Sequence, residues 1–212
     1  MVFVGAASLG GCSGDDSSGG EAGADDEVRT VQPGAPGEDA RELSDEEAAA
    51  VGAPEHTPTD TEFVQGMIAH HQQALAMAAL VAERTDRTDL PVLAERITVA
   101  QEAEIELLEQ WLTDRGEPVP DDAAHEHAQH EALPGMATAE DLSQLELATG
   151  APFDRRFLEL MIAHHQGALA MVEGLYAAGG GLEPAVDGIA RGVEADQTIE
   201  ITRMQELLPT LP

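Results

Sequence analysis

Cys12 is the only cysteine in the 212-residue chain, so no internal disulfide can form and a cysteine-based zinc site is excluded. Lysine and asparagine are absent, and all ten basic residues are arginine. Against them stand 41 acidic residues, which leaves a formal net charge of −31. Nucleic-acid binding relies on Lys and Arg to neutralise phosphates, so this field argues against it. The same field attracts cations and keeps the chain soluble. Aromatic residues are scarce: four Phe, one Trp and one Tyr. Leu, Ile, Val, Ala and Met must therefore supply the core, a composition that suits helices better than strands. No apolar run approaches the roughly 20 residues that a membrane-spanning helix needs. No nucleophile is paired with a plausible base. Gly179-Gly180-Gly181 reads as a helix stop and not as a phosphate loop.

What is present begins with an address. Residues 1–12 end in Leu9-Gly10-Gly11-Cys12 after a short apolar stretch, and resemble the end of a bacterial lipoprotein signal with its lipobox. Cys12 is then the lipidation site, holding the protein at a membrane surface without spanning it. Residues 13–56 are rich in Asp, Glu, Gly, Ala and Pro. They read as a disordered acidic tether, with a short helix around Leu43–Val51 as the one exception. The expected location is the outer face of the cell membrane, or the periplasm or exterior.

An internal repeat organises the rest. Asp60, Phe63, Met67, His70, His71, Gln72, Ala74 and Met77 recur 94 residues later as Asp154, Phe157, Met161, His164, His165, Gln166, Ala168 and Met171. A second element, Gln101-x-x-Glu104-Ile105-x-x-Leu108, recurs 96 residues later as Gln197-x-x-Glu200-Ile201-x-x-Met204. Each half is long helix, turn, long helix, and two such hairpins make a four-helix bundle. The expected organisation is hairpin 1 over 57–116, a linker with a short helix over 117–150, and hairpin 2 over 151–212. Punctuation refines it. Thr57-Pro58 opens a helix expected to reach about residue 85, and Thr88 begins the next, ending near Gly116. Thr138-Ala-Glu-Asp141 caps the linker helix, which is expected to stop at Gly150. Pro152 and Pro184 open the last two long helices.

Helical spacing puts Met67, His70, His71 and Met77 on one face, and Met161, His164, His165 and Met171 on its copy. Gln101 and Glu104 share a face with Leu108, and Gln197 and Glu200 share the matching one with Met204. These faces carry the apolar residues that point inward, so the polar groups travel into the core with them. Unpaired, each costs about 1–3 kcal/mol. Two resolutions are open. The His, Glu and Gln side chains satisfy one another while Met fills gaps, or they hold a metal ion. Imidazole and thioether together suit copper, above all in its reduced form, with zinc and iron as alternatives. The metal candidates are Met67, His70, His71, Met77, Met161, His164, His165 and Met171, together with Glu104 and Glu200. Which histidine of each pair is the ligand stays open.

The motif D-x-x-F-x-x-x-M-I-x-H-H-x-x-A-x-x-M, followed by Q-x-x-E-I-x-x-[ML], resembles domain-of-unknown-function family 305, as does Leu133-Pro134-Gly135-Met136. The resemblance runs over roughly residues 58–208. It implies a ferritin-like, exported bacterial protein of a kind that includes periplasmic copper-binding proteins. It also implies that the Met and His positions of the two motifs are the metal-associated ones.

His125, His127 and His130 lie in the acidic linker with Met136 nearby. They read more simply as a solvated linker than as a weak site for copper(II), nickel or zinc. Three functions compete. The first is a non-catalytic metal-handling lipoprotein of the envelope. The second is a ferritin-like di-metal oxidase, disfavoured because Met67 and Met161 stand where such enzymes place carboxylates. The third is a helical interaction module with no metal. Oligomeric state, including self-association, is left open by the sequence.

Overall fold

The computed structural model describes residues 31–32, 39–44, 54–120 and 133–211. Cys12, most of the expected helix around Leu43–Val51, and His125, His127 and His130 lie outside the described residues. The chain divides into two units, residues 1–52 and 53–212. In the first, strands β1 (Val31–Gln32) and β2 (Arg41–Glu42) pair antiparallel, Val31 with Glu42 and Gln32 with Arg41. The tether reading did not include this pairing, because a two-residue strand is too short to show a period in sequence.

The second unit is all helical among its described residues. Its long helices are α1 (Pro58–Ala79), α3 (Asp89–Arg115), α5 (Gly150–Ala177) and α6 (Pro184–Leu207). Shorter ones are α2 (Val81–Arg84), α4 (Ala139–Leu147) and a 3-10 turn at Leu208–Thr210. α1 packs on α3 and α5 on α6, and the two hairpins close through α1 against α5 and α3 against α6.

Local chemistry sets the ends. Thr57 and Asp60 form a capping box: the Asp60 carboxylate accepts from the Thr57 amide at 2.7 Å, and the Asp60 amide donates back to the Thr57 hydroxyl. The other oxygen of buried Asp60 accepts from the Gly181 amide at 2.7 Å, so one side chain both starts α1 and anchors the turn after α5. Gly116 closes α3 in the left-handed conformation, φ 69°. Two boundaries differ from expectation. The first helix breaks at Leu80, whose amide bonds back to Met77 in a tightened turn, and Val81 then turns into the core. The linker helix stops at Leu147, and α5 begins at Gly150, two residues before Pro152.

The core has two apolar clusters. One holds Ala74 and Met77 of α1, Leu90 to Ile97 of α3, Phe153 to Met161 of α5, and Met204 of α6. The other holds Phe63 to Ile68 of α1, Leu108 to Leu112 of α3, Ala168 to Leu175 of α5, and Val186 to Val193 of α6. The clusters are met in opposite order along each helix of a packed pair, so every such pair is antiparallel. α3 and α5 run the same way, which obliges the connection between them to return along the bundle. One long crossover of this kind is the ferritin-like connection.

Candidate metal centre

Between the two clusters, each long helix contributes one polar pair. α1 gives His70 and His71, α3 gives Gln101 and Glu104, α5 gives His164 and His165, and α6 gives Gln197 and Glu200. The four histidines are 0 % exposed, as is Gln101. The repeat seen in sequence is therefore a polar layer across the middle of the bundle.

The layer has a stacked centre and two flanking pairs. The rings of His70 and His164 lie 3.7 Å apart, centroid to centroid. His165 Nε2 donates to Glu200 Oε2 at 2.7 Å. The equivalent contact in the other half is 2.6 Å, from His71 Nε2 to Glu104 Oε2, but it lacks hydrogen-bond geometry and both atoms are left without a partner. We read this contact as two groups facing a common space, because its length alone does not make a bond.

His70 Nε2 is 3.0 Å from the Pro134 carbonyl oxygen. A carbonyl only accepts, so Nε2 carries the proton and the Nδ1 lone pair is left without a partner. The Glu200 carboxylate has the same consequence for His165, whose Nδ1 is also unpartnered. Neither nitrogen of His164 has a partner. Burial pushes His70 down to about 3, against the raising effect of its bond to Pro134, and the neighbouring His71 and His165 push it further. Burial, then the other three histidines, hold His164 well below the usual histidine range. Both rings are thus neutral at ordinary pH, the protonation state that a metal requires.

The methionines sit one step away. Met77 and Met161 belong to the first cluster and Met67 to the second, all fully buried. Met171 is partly buried and packs on the second cluster, with its methyl group near Gly66 of α1. The structure thus brings the imidazoles and carboxylates together in one layer and places the thioethers above and below it. Among the described residues, no three His, Cys, Asp or Glu side chains are already gathered as an ion's ligands. The donor set nonetheless fits one: unpartnered nitrogens of His70, His71, His164 and His165, both oxygens of Glu104, and unpartnered atoms of Gln101 and Gln197. Buried polar atoms in such number require an ion or water to satisfy them.

Sequence reasoning missed the strap that covers this layer. Leu133 to Ala137 crosses α1 and α5, with Pro134 on His70. The Gln73 side chain donates to the Ala137 carbonyl at 2.9 Å and accepts from its amide at 2.7 Å. Gly135, at φ 75°, lies so close to Gly167 of α5 that a methyl group on Gly167 would meet the Pro134 oxygen at 2.0 Å. The glycines at 135 and 167 are the one signal that could have disclosed this crossing.

One long crossover and a buried histidine–carboxylate layer together define an all-helical bundle with a polar core. The family model for the domain of unknown function DUF305 matches residues 60–208, and the chain belongs to that family. Solved structures agree. A DUF305 fragment from Deinococcus radiodurans is 34% identical, with a TM-score of 0.66, and the match covers 74% of this chain and 100% of that one. A DUF305 protein from Streptomyces coelicolor, assigned as secreted, is 29% identical with a TM-score of 0.61, covering 72% and 91%. CopM in its Cu(I)-bound form is 30% identical with a TM-score of 0.56, covering 71% and 96%. CopM has also been solved with Cu(II) and with silver. No curated protein matches the chain.

Proposed function

We propose that this protein binds a soft transition-metal ion, copper in the first place, in the polar layer, and serves in metal handling without catalysing a reaction. The observation that carries the reading is the set of fully buried imidazoles left with unpartnered nitrogens between Glu104 and Glu200. The likeness to CopM, solved with Cu(I), Cu(II) and silver, supports the choice of metal. Met67, Met77, Met161 and Met171, placed beside the layer, supply thioethers that favour the reduced ion.

Lipidation at Cys12 and display at the outer surface of the membrane complete the reading. It rests on the sequence Leu9-Gly10-Gly11-Cys12. No helix among the described residues is long and apolar enough to cross a membrane. The secreted assignment of the Streptomyces coelicolor relative supports export.

A second reading, zinc or iron(II), is favoured by the two histidine–carboxylate pairs. Titration with Cu(I), Cu(II), Zn(II) and Fe(II) separates the two. The parent should take Cu(I) most tightly, and replacement of His70, His71, His164 and His165 by Ala should abolish tight uptake. Equal copper uptake by the fourfold variant would remove the proposed site.

A further inference from the structure

The two halves of the layer are copies in sequence, yet their polar atoms are not equally satisfied. In the first hairpin, every side-chain nitrogen and oxygen of His71, Gln101 and Glu104 is buried without a hydrogen-bond partner. In the matching trio of the second hairpin, only His165 Nδ1 and Gln197 Oε1 are left so. The difference turns on one contact. His165 Nε2 donates to Glu200 Oε2 at 2.7 Å, whereas His71 Nε2 and Glu104 Oε2 stand 2.6 Å apart with no hydrogen bond between them.

These two states suit different chemistry. A histidine whose one ring nitrogen is held by an oxygen offers the other as a fixed donor, and metal-ligating histidines are usually held in this way. His165, held by Glu200, is of this kind, and so is His70, held by the Pro134 carbonyl. Glu104 holds no ring. A buried carboxylate with no donor of its own is costly, and calls for a partner from outside the chain.

We propose that the two glutamates have different roles: Glu104 is itself a ligand of the ion, beside His71, while Glu200 stays on His165 and fixes Nδ1 as the nitrogen that His165 offers. The proposal rests on the metal-binding reading above. A duplicated sequence then builds one unsymmetrical seat and not two equal ones. Glu200 is a positioning residue. In the metal-free protein it contributes stability, whereas Glu104 costs stability. Glu104→Gln, of the same shape, removes an uncompensated carboxylate, and Glu200→Gln weakens a bond that is made.

The test has two arms. The first is thermal unfolding of the full chain stripped of metal with EDTA. Glu104→Gln should raise Tm and Glu200→Gln should lower it. The second loads Cu(II) into full chains in which His56, His125, His127 and His130 are Ala, and reads the copper hyperfine pattern by electron paramagnetic resonance. Glu104→Gln should weaken binding at least tenfold and change the pattern of the copper that still binds, because an oxygen ligand is lost. Glu200→Gln should also weaken binding, by roughly tenfold, but keep the pattern of the parent. A Tm for Glu104→Gln at or below the parent's, or an unchanged pattern in that variant, would overturn the assignment while leaving the metal site standing. So would a changed pattern in Glu200→Gln, or uptake of Cu(I) without Cu(II) by the parent. Uptake of neither ion by the parent would remove the metal site as well.

Discussion

At the scale of single residues, His70 and His164 set the chemistry. Stacked, buried and close to two further imidazoles, they resist protonation. In the unfolded chain they titrate near 6.5, whereas folded His70 titrates at about 3. Between those values the unfolded state binds more protons, so stability rises with pH across the interval. The metal-free protein should be fully stable above about pH 6.5 and lose stability steadily as pH falls toward 3. Urea unfolding at pH 7.5, 6, 5 and 4 checks this, and a His164→Phe variant should flatten the acid limb. An acid limb unchanged in that variant would show that carboxylates elsewhere control it.

That His70, His71, His164 and His165 travel into a shared interior was legible in the sequence, because the two motifs are copies on apolar helix faces. The roles within each pair were not. They depend on Pro134, whose carbonyl fixes the protonated nitrogen of His70, and a backbone oxygen has no signature in sequence. Glu104 and Glu200 were found from their period.

At the scale of elements, two contacts hold the bundle around the layer. The first is the strap. Gly167→Ala would place a methyl group 2.0 Å from the Pro134 oxygen, so backbone must move. The expected loss is about 1–3 kcal/mol, as for other overpacked sites. It should appear as a lower Tm together with faster hydrogen exchange at the Ala137 amide, which Gln73 holds. Normal protection of that amide would mean that the strap does not depend on this contact.

The second contact joins the hairpins at Glu183. Its carboxylate accepts from the Trp111 indole at 3.0 Å, from Arg115 at 2.6 Å and from the Val186 amide at the start of α6. Burial opposes the charge, but these donors outweigh it and hold the carboxyl at about 2. Glu183→Ala removes a helix cap and two links between α3 and α6, and should cost about 1–3 kcal/mol. The check is thermal unfolding, with Glu183→Gln recovering part of the loss. The long helices were readable from caps and prolines. The break at Leu80 and the start of α5 at Gly150 were not, because both answer to tertiary packing and not to local propensity.

At the scale of the molecule, the crossover and the polar layer belong together. α3 and α5 run in the same direction, so the linker must travel back along the bundle, and it crosses the layer on the way. Hairpin duplication was visible in the sequence. The direction of the second hairpin was not, since an offset of residues says nothing about orientation. A layer of buried donors between two apolar clusters costs stability until something satisfies it. Filling it should therefore stabilise the whole fold: at a free ion concentration of 100 times Kd, by about 2.7 kcal/mol. Thermal unfolding with and without Ag(I) reads this, and Tm should be insensitive to silver in the fourfold histidine variant.

The proposed metal site depends above all on ligation of the ion by the four histidines of the layer. X-ray absorption at the copper edge tests it directly, on Cu(I)-loaded full chain in which His56, His125, His127 and His130 are Ala. The expected spectrum carries the multiple-scattering pattern of imidazole, because only His70, His71, His164 and His165 remain to produce it. Bound copper with oxygen or sulfur scattering and no imidazole pattern would contradict it.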